Sequence, residues 1–336
     1  MALLLVYVDD LLITDDSSEL IVELKQMLNS HFKMKDLGEL KYFLGIEVLR
    51  SKEGILLNQR KYALQLIKYT GLEEPKPTIT PLEQNLKLTT LDYDKIVQQN
   101  NEDEHNLVEK LVYQRLIGRL IYLTYTRPDI TYAVNLLSQF MQQPKTSHME
   151  AALRVVKYVK NEPGQGILLK SSLICQLLAY CDSDWGSCPM TRKFVTGFCI
   201  KIGDSLVSWK SKKQNVVARS SAEAEYRAMA VVTSKLVWLQ CLLAELSIKG
   251  LKPVKLHCDN KDALQIAANP VNHERTKHIE IDCHFVREKI QEGMIQTEHV
   301  STHEQLADIM TKALGSQLHG YLLSKLGVEN VFQHPT

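Results

Sequence analysis

Four acidic residues occupy positions where divalent cations would find ligands. Asp182 and Asp259 each end a short apolar run that is typical of a strand, and open α/β sheets bind ligands at the carboxyl ends of their strands. Glu225 lies in the first turns of a long apolar helix, and Asp308 begins a later predicted helix. Hydrolysis of a phosphodiester with two Mg²⁺ ions needs several carboxylates at one point, because hard cations take oxygen ligands. The four positions together predict a metal-dependent hydrolytic site.

Each of these acids, taken alone, has a simpler structural explanation. An Asp at the end of a strand commonly forms a turn, and an acid at the start of a helix commonly stabilises the helix dipole. Four acids in this order of elements are hard to attribute to chance, so their combination favours the metal site.

The predicted helix from Ser221 to about Ser247 separates two neighbouring glutamates. Its apolar stripe repeats every three or four residues and therefore marks the buried face; the stripe consists of Met229, Val232, Leu236, Leu239, Leu243 and Leu246. Glu225 extends the stripe by one turn, and an acid on a buried face needs a partner or a metal ion. Glu223 lies off the stripe and three residues after Ser220, as in a capping box. Glu225 is therefore predicted as a ligand and Glu223 as a helix cap.

The elements that would position these acids form a mixed α/β pattern. Strands are predicted at 175–181, 194–202 and 205–210, with a two-residue turn at Gly203-Asp204. They are followed by a strand at 253–258, helices at 261–268 and 274–292, a strand at 294–300 and a helix at 305–314. The order predicts a mixed five-stranded sheet with flanking helices.

The whole chain divides into five predicted segments. They are a mixed α/β segment at 1–80, a polar linker or poorly ordered insert at 81–106, a helical segment at 107–172, the mixed-sheet domain at 173–316 and a C-terminal tail at 317–336. A chain of 336 residues fits two or three domains.

Composition narrows the class of protein. The net charge of +1 gives no long-range attraction to phosphates, so any nucleic-acid surface must be local. Seven irregularly spaced cysteines argue against a disulfide framework and against a zinc site, and favour a reducing compartment. The apolar start lacks a basic segment and is too short to span a bilayer, so no membrane partner is predicted.

The motifs of the third region resemble the ribonuclease H domain of copia-type retrotransposon polyproteins. The resemblance is carried by Tyr180-Cys-Asp-Ser-Asp-Trp185, Val195-Thr-Gly-Phe198, Ser208-Trp-Lys-Ser-Lys-Lys-Gln214, Arg219-Ser-Ser-Ala-Glu-Ala-Glu-Tyr226, His257-Cys-Asp-Asn260, His273-Glu-Arg-Thr-Lys-His-Ile-Glu280 and Gln305-Leu-Ala-Asp-Ile309. It implies a ribonuclease H-like fold in which Asp182, Glu225, Asp259 and Asp308 are the catalytic, metal-binding acids. It also implies two Mg²⁺ ions, with Mn²⁺ as a substitute, and cleavage of the RNA strand of RNA–DNA hybrids to 3′-hydroxyl and 5′-phosphate ends.

The first segment resembles a reverse transcriptase from its Tyr7-Val-Asp-Asp10 motif onward. Phe32-Lys-Met-Lys-Asp-Leu-Gly-Glu-Leu-Lys-Tyr-Phe-Leu-Gly45 continues this resemblance, and Tyr113-Gln-Arg-Leu-Ile-Gly-Arg119 and Thr126-Arg-Pro-Asp-Ile130 match the connection in the same polyproteins. Residues 1–80 are thus identified with part of the palm and a thumb-like segment. Polymerase chemistry also needs an acid from an earlier strand, so Asp9 and Asp10 are interpreted as a remnant metal site and polymerase activity is predicted to be absent.

Candidate nucleic-acid contacts lie just before the Glu225 helix. Lys210, Lys212, Lys213 and Arg219 form a basic group suited to phosphates, although a solvated basic loop explains them equally well. His303 is added because many ribonucleases H place a histidine shortly before the last Asp. The family further implies contacts to 2′-hydroxyls in the minor groove.

Three alternatives stay open at this stage. His273, His278 and His284 with Asp282 could form a metal cluster, although their spacing better fits the polar face of a helix. The chain could be an inactive nucleic-acid-binding remnant of a degraded element. It could also be an integrase- or resolvase-like nuclease, which the hairpin at 194–210 and the Glu225 helix argue against. Expected partners are an RNA–DNA hybrid and other retrotransposon proteins, and the expected location is intracellular, in cytoplasmic virus-like particles or the nucleus.

Overall fold

The computed structural model describes residues 2–97, 107–171, 175–248, 250–269 and 279–331. Within these ranges the chain forms twelve strands and ten α-helices. The strands are β1 (Leu3–Tyr7), β2 (Asp10–Thr14), β3 (Tyr42–Phe43), β4 (Ile46–Arg50), β5 (Gly54–Asn58), β6 (Gln165–Lys170), β7 (Leu177–Asp184), β8 (Val195–Ile202), β9 (Ser205–Lys213), β10 (Val254–Cys258), β11 (Ile295–His299) and β12 (Val328–Asn330). The helices are α1 (Ser18–His31), α2 (Arg60–Tyr69), α3 (Leu91–Val97), α4 (Lys110–Leu123), α5 (Thr131–Ser138), α6 (Thr146–Asn161), α7 (Ser221–Glu245), α8 (Lys261–Ala268), α9 (Glu280–Gln291) and α10 (Ser316–Leu326).

A mixed five-stranded sheet organises the C-terminal half. Its strand order is β11-β10-β7-β8-β9, in which β7, β8 and β9 are antiparallel and β10 runs parallel to both β7 and β11. Helices α7, α8 and α9 pack on one face, and α10 with the 3-10 helix Leu306–Met310 packs on the other. The predicted fold class, a mixed five-stranded sheet with flanking helices, is confirmed.

Helix α7 supplies the largest part of the core on its face of the sheet. Of the predicted stripe, Met229, Val232, Leu236, Leu239 and Leu243 are buried, whereas Leu246, which caps the end of α7, is half-buried. By length and composition α7 is the single helix of the described ranges that could cross a membrane, and half of its most apolar stretch is buried inside the protein. Packing of α7 against the sheet therefore accounts for its apolar character.

A second sheet joins segments that are far apart in the chain. Its order is β12-β6-β5-β4-β3, with every neighbouring pair antiparallel. The sequence predicts strands at 41–49 and 54–57 that pair around Lys52-Glu53-Gly54, and the pairing of β4 with β5 confirms this, whereas β6 and β12 were not predicted. At Gly166 an added Cβ would lie 2.2 Å from the carbonyl oxygen of Leu57, so the close approach of β6 to β5 requires glycine there.

Helices α2, α4, α5 and α6 share one apolar core with Leu82 and Leu88; these helices and α3 are called the helical region below. Part of the predicted polar linker at 81–106 therefore has regular structure, because the two leucines pack on this core and α3 follows them. Residues 98–106 lie outside the described ranges. The boundaries of the five predicted segments stay a prediction.

The N-terminal hairpin and first helix add nothing to either core. The sequence predicts a hairpin with strands at 3–8 and 11–14, and β1 and β2 pair around a turn at Val8-Asp9; none of their side chains is buried. Helix α1 also has no buried residue. The described hydrophobic clusters therefore contain no residue of this segment.

Two expectations near the C-terminus were wrong. The helix predicted at 305–314 is a short 3-10 helix, Leu306–Met310, because Thr311 and Lys312 turn back towards Asp182 and interrupt it. The predicted tail contains α10 and β12, whose Leu322, Leu326 and Val328 are buried. The predicted helix at 274–292 is described only from Ile279, as α9.

Candidate active site

Two neighbouring parallel strands bring Asp182 and Asp259 together. Asp182 lies near the carboxyl end of β7, and Asp259 follows β10 directly. The register of β7 and β10 aligns His257 with Tyr180, so both strands end at the same edge of the sheet. Asp182 is buried and Asp259 is half-buried. This edge is the place that the sequence predicted.

The other two predicted acids reach the same edge from opposite faces of the sheet. Glu225 comes from the first turns of α7, is 5% exposed, and accepts a hydrogen bond from the backbone N–H of Ser183 at 3.1 Å. Asp308 comes from the 3-10 helix on the other face and is 2% exposed. We call Asp182, Glu225, Asp259 and Asp308 the acid cluster.

The ligand atoms of the acid cluster form two overlapping groups. One oxygen each of Asp182, Asp259 and Asp308 lie within 4.8 Å of one another. The same spacing holds for Glu225, the Cys258 sulfur and Asp259. Asp259 belongs to both groups, so all four predicted acids meet at one point.

Gly197 makes room for the segment that carries Asp308. It pairs with Asp182 across β7 and β8. A Cβ added at Gly197 would lie 2.6 Å from the Thr311 Cγ2 atom and 2.7 Å from the Met310 Cβ atom. Only glycine therefore lets this turn pack beside Asp182.

Two residues of the site were missed by the sequence reasoning. The Lys312 ammonium lies 3.2 Å from Asp182 Oδ1 and 2.9 Å from Asp308 Oδ1, and the Thr311 hydroxyl donates to Asp182 Oδ2. The spacing of Asp308 and Lys312, which is that of i,i+4 pairs, was the available signal. Asp259 Oδ2 accepts a further hydrogen bond from the Thr302 hydroxyl at 3.2 Å.

Burial and the charge of Asp182 raise the pKa values of the other three carboxylates of the acid cluster. Burial, followed by the charge of Asp182, raises the pKa of Asp308 to about 7 in spite of the nearby Lys312. The same two causes, in the same order, raise the pKa of Glu225 well above its usual range and also raise that of Asp259. The pKa of Lys312 is also raised, since the attraction of Asp182 and Asp308 outweighs its burial. One cation among four acids leaves a surplus of negative charge that divalent cations would neutralise.

Glu223 takes the structural role predicted for it. Its backbone N–H donates to the Ser220 hydroxyl at 3.2 Å, which confirms the cap. Its side chain accepts from the backbone N–H of Arg219 at 2.8 Å instead of that of Ser220, and also contacts Arg227 at 3.3 Å. Its carboxylate belongs to neither ligand group.

The residues predicted to contact nucleic-acid phosphates differ in their exposure. Lys210, Lys212 and Arg219 are exposed. The Lys213 ammonium is half-buried and contacts Gln139 Oε1 at 2.8 Å and the Cys188 sulfur at 2.9 Å, which makes it less free to reach a phosphate. His303 is exposed on the 3-10 helix Thr302–Glu304, beside the Thr302 that contacts Asp259.

The remaining candidates are not brought into the acid cluster. Asp9 and Asp10 are exposed at the β1–β2 turn and belong to neither ligand group. His284 and Asp282 lie on α9, where Asp282 pairs with Arg227 at 3.8 Å. His273 and His278 lie outside the described residues, so that alternative cluster stays untested.

The donor set decides which cation fits. Three carboxylates from Asp182, Asp259 and Asp308 offer only oxygen atoms, and one face of Asp259 is open to solvent. Mg²⁺ is bound in proteins by a few carboxylates and completes its shell with water and phosphate oxygens. These residues therefore fit a divalent metal ion.

Comparisons with known proteins place the chain among transposon polyproteins. A family profile described as reverse transcriptase (RNA-dependent DNA polymerase) matches residues 2–84. The chain is 42% identical over 328 residues to the retrovirus-related Pol polyprotein from transposon RE1 of Arabidopsis thaliana, an alignment that covers 98% of this chain and 22% of that polyprotein. It is 32% identical over 224 residues to the putative transposon Ty5-1 protein of Saccharomyces cerevisiae, covering 66% of this chain and 69% of that protein.

Among solved structures, the N-terminal RNase H domain of a Mycobacterium tuberculosis protein aligns with this chain. The alignment has 13% sequence identity and a TM-score of 0.31, and it covers 45% of this chain and 97% of that one. The assignment of the site rests on the side-chain positions described above.

Proposed function

This chain belongs to the family of retrovirus-related Pol polyproteins from transposons, and from that premise we propose that its mixed-sheet domain is an endoribonuclease that hydrolyses the RNA strand of RNA–DNA hybrids. The observation that carries the proposal is the meeting of Asp182, Glu225, Asp259 and Asp308 at one edge of the sheet. Four acids from four separate elements have no common structural purpose there, since they repel one another.

Two Mg²⁺ ions, with Mn²⁺ as a substitute, are the proposed cofactors. Asp182, Asp259 and Asp308 would hold one ion, and Glu225 with Asp259 would contribute to the second. When bound, the ions supply the Lewis acidity that promotes attack of water on the phosphodiester and stabilises the charge that develops there. The products would be a 3′-hydroxyl and a 5′-phosphate.

The protein's own groups would hold the carboxylates in position. The Ser183 N–H fixes one oxygen of Glu225, the Thr311 hydroxyl fixes Asp182, and the Thr302 hydroxyl fixes Asp259. Before metal ions bind, the charge of Lys312 partly neutralises Asp182 and Asp308. Metal binding would weaken these two ion pairs, because the ions would take the same carboxylate oxygens.

Substrate contacts are proposed on the exposed basic residues of the same domain. Lys210 and Lys212, two residues apart on β9, would meet the phosphates of the hybrid together with Arg219. His303 would lie beside the reacting strand. Recognition of the RNA strand would depend on its 2′-hydroxyls in the minor groove.

The test is cleavage of an end-labelled RNA–DNA hybrid by purified protein with Mg²⁺, with Mn²⁺ or with a chelator. We expect cutting of the hybrid's RNA strand with either ion, and no cutting of single-stranded RNA or duplex DNA. Asp182→Asn should abolish cutting because a charged ligand is lost. Asp204→Asn, the same change at the exposed turn between β8 and β9, is the matched control and should cut normally.

The alternative of a non-catalytic remnant makes a different prediction in the same assay. Such a protein would bind the hybrid in a gel-shift measurement but cut it at no metal concentration. Equal cutting by wild type and Asp182→Asn would instead reveal a contaminating nuclease or a wrong site.

A further inference from the structure

Cys258 places a sulfur atom inside the second ligand group. We propose that Glu225, Cys258 and Asp259 form a binding site for a thiophilic divalent cation such as Zn²⁺ or Cd²⁺, overlapping the acid cluster through Glu225 and Asp259. Its effect on cleavage rests on the proposed function, whereas its existence as a binding site does not.

The geometry of the three side chains supports the site. Their ligand atoms lie within 4.8 Å of one another, and the Cys258 sulfur lies 3.9 Å from Glu225 Oε2. Tetrahedral zinc with bonds of about 2.3 Å to sulfur and about 2.1 Å to oxygen holds its ligand atoms roughly 3.6 Å apart. Modest side-chain rotations would therefore bring the three atoms to zinc-binding distances.

The Cys258 thiol is fully buried and contacts the thiol of Cys181 on the adjacent strand. Its oxygen contacts are Glu225 Oε2 and the carbonyl oxygen of Asn260, each at 3.9 Å. Both distances lie at the outer limit for a hydrogen bond to sulfur. Because β10 alternates buried and half-buried positions, Cys258 points to the face from which α7 presents Glu225, while Asp259 reaches solvent. A cation could thus enter from solvent beside Asp259 and bind the thiol on the α7 face of the sheet.

Ligand chemistry distinguishes this site from the proposed magnesium site. Thiolates select zinc and similar soft cations, whereas carboxylates and water suit magnesium. The group formed by Asp182, Asp259 and Asp308 contains no sulfur. Zinc binding would release the thiol proton to solvent and would occupy two of the four acids, so it would inhibit a magnesium-dependent enzyme.

No sequence motif marks this site, because the cysteines lack the paired spacing of familiar zinc motifs. Its ligands come from α7, from the end of β10 and from the residue after it. Only the folded sheet brings them together. Cys181, on the adjacent strand, has its sulfur 3.7 Å from the carbonyl oxygen of His257 and is not part of the ligand group.

Cadmium is the probe of choice, because a cadmium–thiolate bond absorbs in the ultraviolet and reports the sulfur directly. The full chain, reduced and freed of metals, is titrated with Cd²⁺ in excess Mg²⁺. We expect Cys258→Ala to lose one equivalent of this absorbance and Glu225→Gln to weaken that equivalent by at least about tenfold. Cys199→Ala, which removes a buried thiol from the opposite face of the same sheet, is the matched control and should retain it.

Identical titrations for wild type and folded Cys258→Ala would overturn the proposal. Circular dichroism checks folding, and Cys258→Ser, which keeps the side-chain size, replaces Cys258→Ala if the latter does not fold. In the cleavage assay, Zn²⁺ should inhibit the wild type at concentrations at least about tenfold lower than those needed to inhibit the single variant Cys258→Ala. If no variant cuts hybrids, the proposed function fails while the cadmium titration still decides the binding site.

Discussion

Charged side chains are buried both in the helical region around Arg127 and at the sheet edge around Asp182. In the helical region the Arg127 guanidinium lies 2.7 Å from Asp129 Oδ2, and the Tyr158 hydroxyl donates to the same oxygen at 2.7 Å. The Arg127 Nη1 group donates to the carbonyl of Glu162 at 3.0 Å. Burial acts to raise the pKa of Asp129, but the charge and hydrogen bonds of Arg127 and Tyr158 lower it overall. Every charge in this group has a partner.

A second buried pair in the helical region has the same character. Lys145 contacts Asp94, which also accepts from the Thr89 hydroxyl. His148 accepts at Nδ1 from the Lys145 N–H, and its Nε2 lies 3.0 Å from the carbonyl of Thr89. Burial and the charge of Lys145 lower the pKa of His148 to about 4, so this histidine is neutral in the folded protein.

The acid cluster differs because four carboxylates share one lysine. Burial and the charge of Asp182 raise the pKa values of Glu225, Asp259 and Asp308, and no cation besides Lys312 contacts Asp182 or Asp308 in the described residues. A buried pair that balances its charges serves the fold, whereas a buried surplus of one sign is poised to bind ions. The same chemical change should therefore have opposite consequences in the two places.

Asp129→Asn should produce the largest change in stability. It leaves the Arg127 charge buried without a counter-charge, which costs about 3–5 kcal/mol of unfolding free energy. Denaturant unfolding at neutral pH measures this loss. Asp262→Asn, the same change at an exposed position in the first turn of α8, should cost no more than about 1 kcal/mol through the helix dipole. A loss of similar size in both variants would remove the distinction between the two regions.

Asp308→Asn should act in the opposite direction. Because the pKa of Asp308 is raised from 3.8 to about 7, the folded protein keeps a proton that the unfolded chain has lost, and stability falls as pH rises from about 4 to about 7. In the metal-free protein above that range, Asp308→Asn should raise the unfolding free energy by about 1–3 kcal/mol. The raised pKa alone would give more, at about 1.4 kcal/mol per pKa unit, but Lys312 loses a partner in this variant.

His148 provides the contrasting pH dependence in the helical region. The unfolded chain takes up a proton near the usual pKa of 6.5, while the folded protein does so only near 4. Its contribution is therefore lost as pH falls from about 6.5 to about 4. Melting temperatures measured from about pH 4 to about pH 7 with a chelator present should show that Asp308→Asn removes the loss of stability that accompanies rising pH and keeps the loss that accompanies falling pH. A variant that still loses stability as pH rises would contradict the assignment.

Glu225→Gln and Glu223→Gln should separate function from stability within one helix. Glu225→Gln should abolish hybrid cleavage and leave the metal-free protein equally or more stable, because a repelling carboxylate is removed. Glu223→Gln should keep most activity, since the amide can still accept from the Arg219 N–H. Glu223→Ala should cost about 0.5–2 kcal/mol through loss of the cap contacts. Cleavage rate and melting temperature of the three variants decide this, and an inactive Glu223→Gln would invert the assignment.

The smallest local stability is expected at the N-terminus. Within residues 1–80, the structure points to the part before Ile46 as the least stable. Strands β1 and β2 and helix α1 bury no side chain, whereas β4 and β5 are held in the second sheet. Hydrogen exchange should be fast in β1, β2 and α1 and slow in β7 and β8. Uniform protection across both would contradict this prediction.

The acids of the site were predictable because local patterns fix them. Asp182 and Asp259 end apolar strands, and the phase of the α7 stripe selects Glu225 over Glu223; each signal lies within a few residues of the acid it marks. Asp308 was found in a predicted helix of the wrong type, but its place at the start of that segment was enough.

Lys312, Thr311 and Cys258 could not be found in the same way. The first two reach Asp182 only because the 3-10 helix ends early and Gly197 leaves space for the turn. The role of Cys258 depends on the packing of α7 over β10. Strands β6 and β12 were missed for a related reason: both are short, and their partners lie far away in the chain, where residue periodicity carries no information.

The place of β6 between β5 and β12 also has a consequence for biosynthesis. Strand β6 can pair with β5 as soon as both have left the ribosome, but its other edge has no partner until Val328 emerges. Chains are made from the N-terminus, and an unpaired strand edge invites association with other chains. The nascent protein therefore exposes the unpaired edge of β6 throughout synthesis of the mixed-sheet domain. A messenger cut short before Gly327 would leave that edge open for good and direct the product towards aggregation.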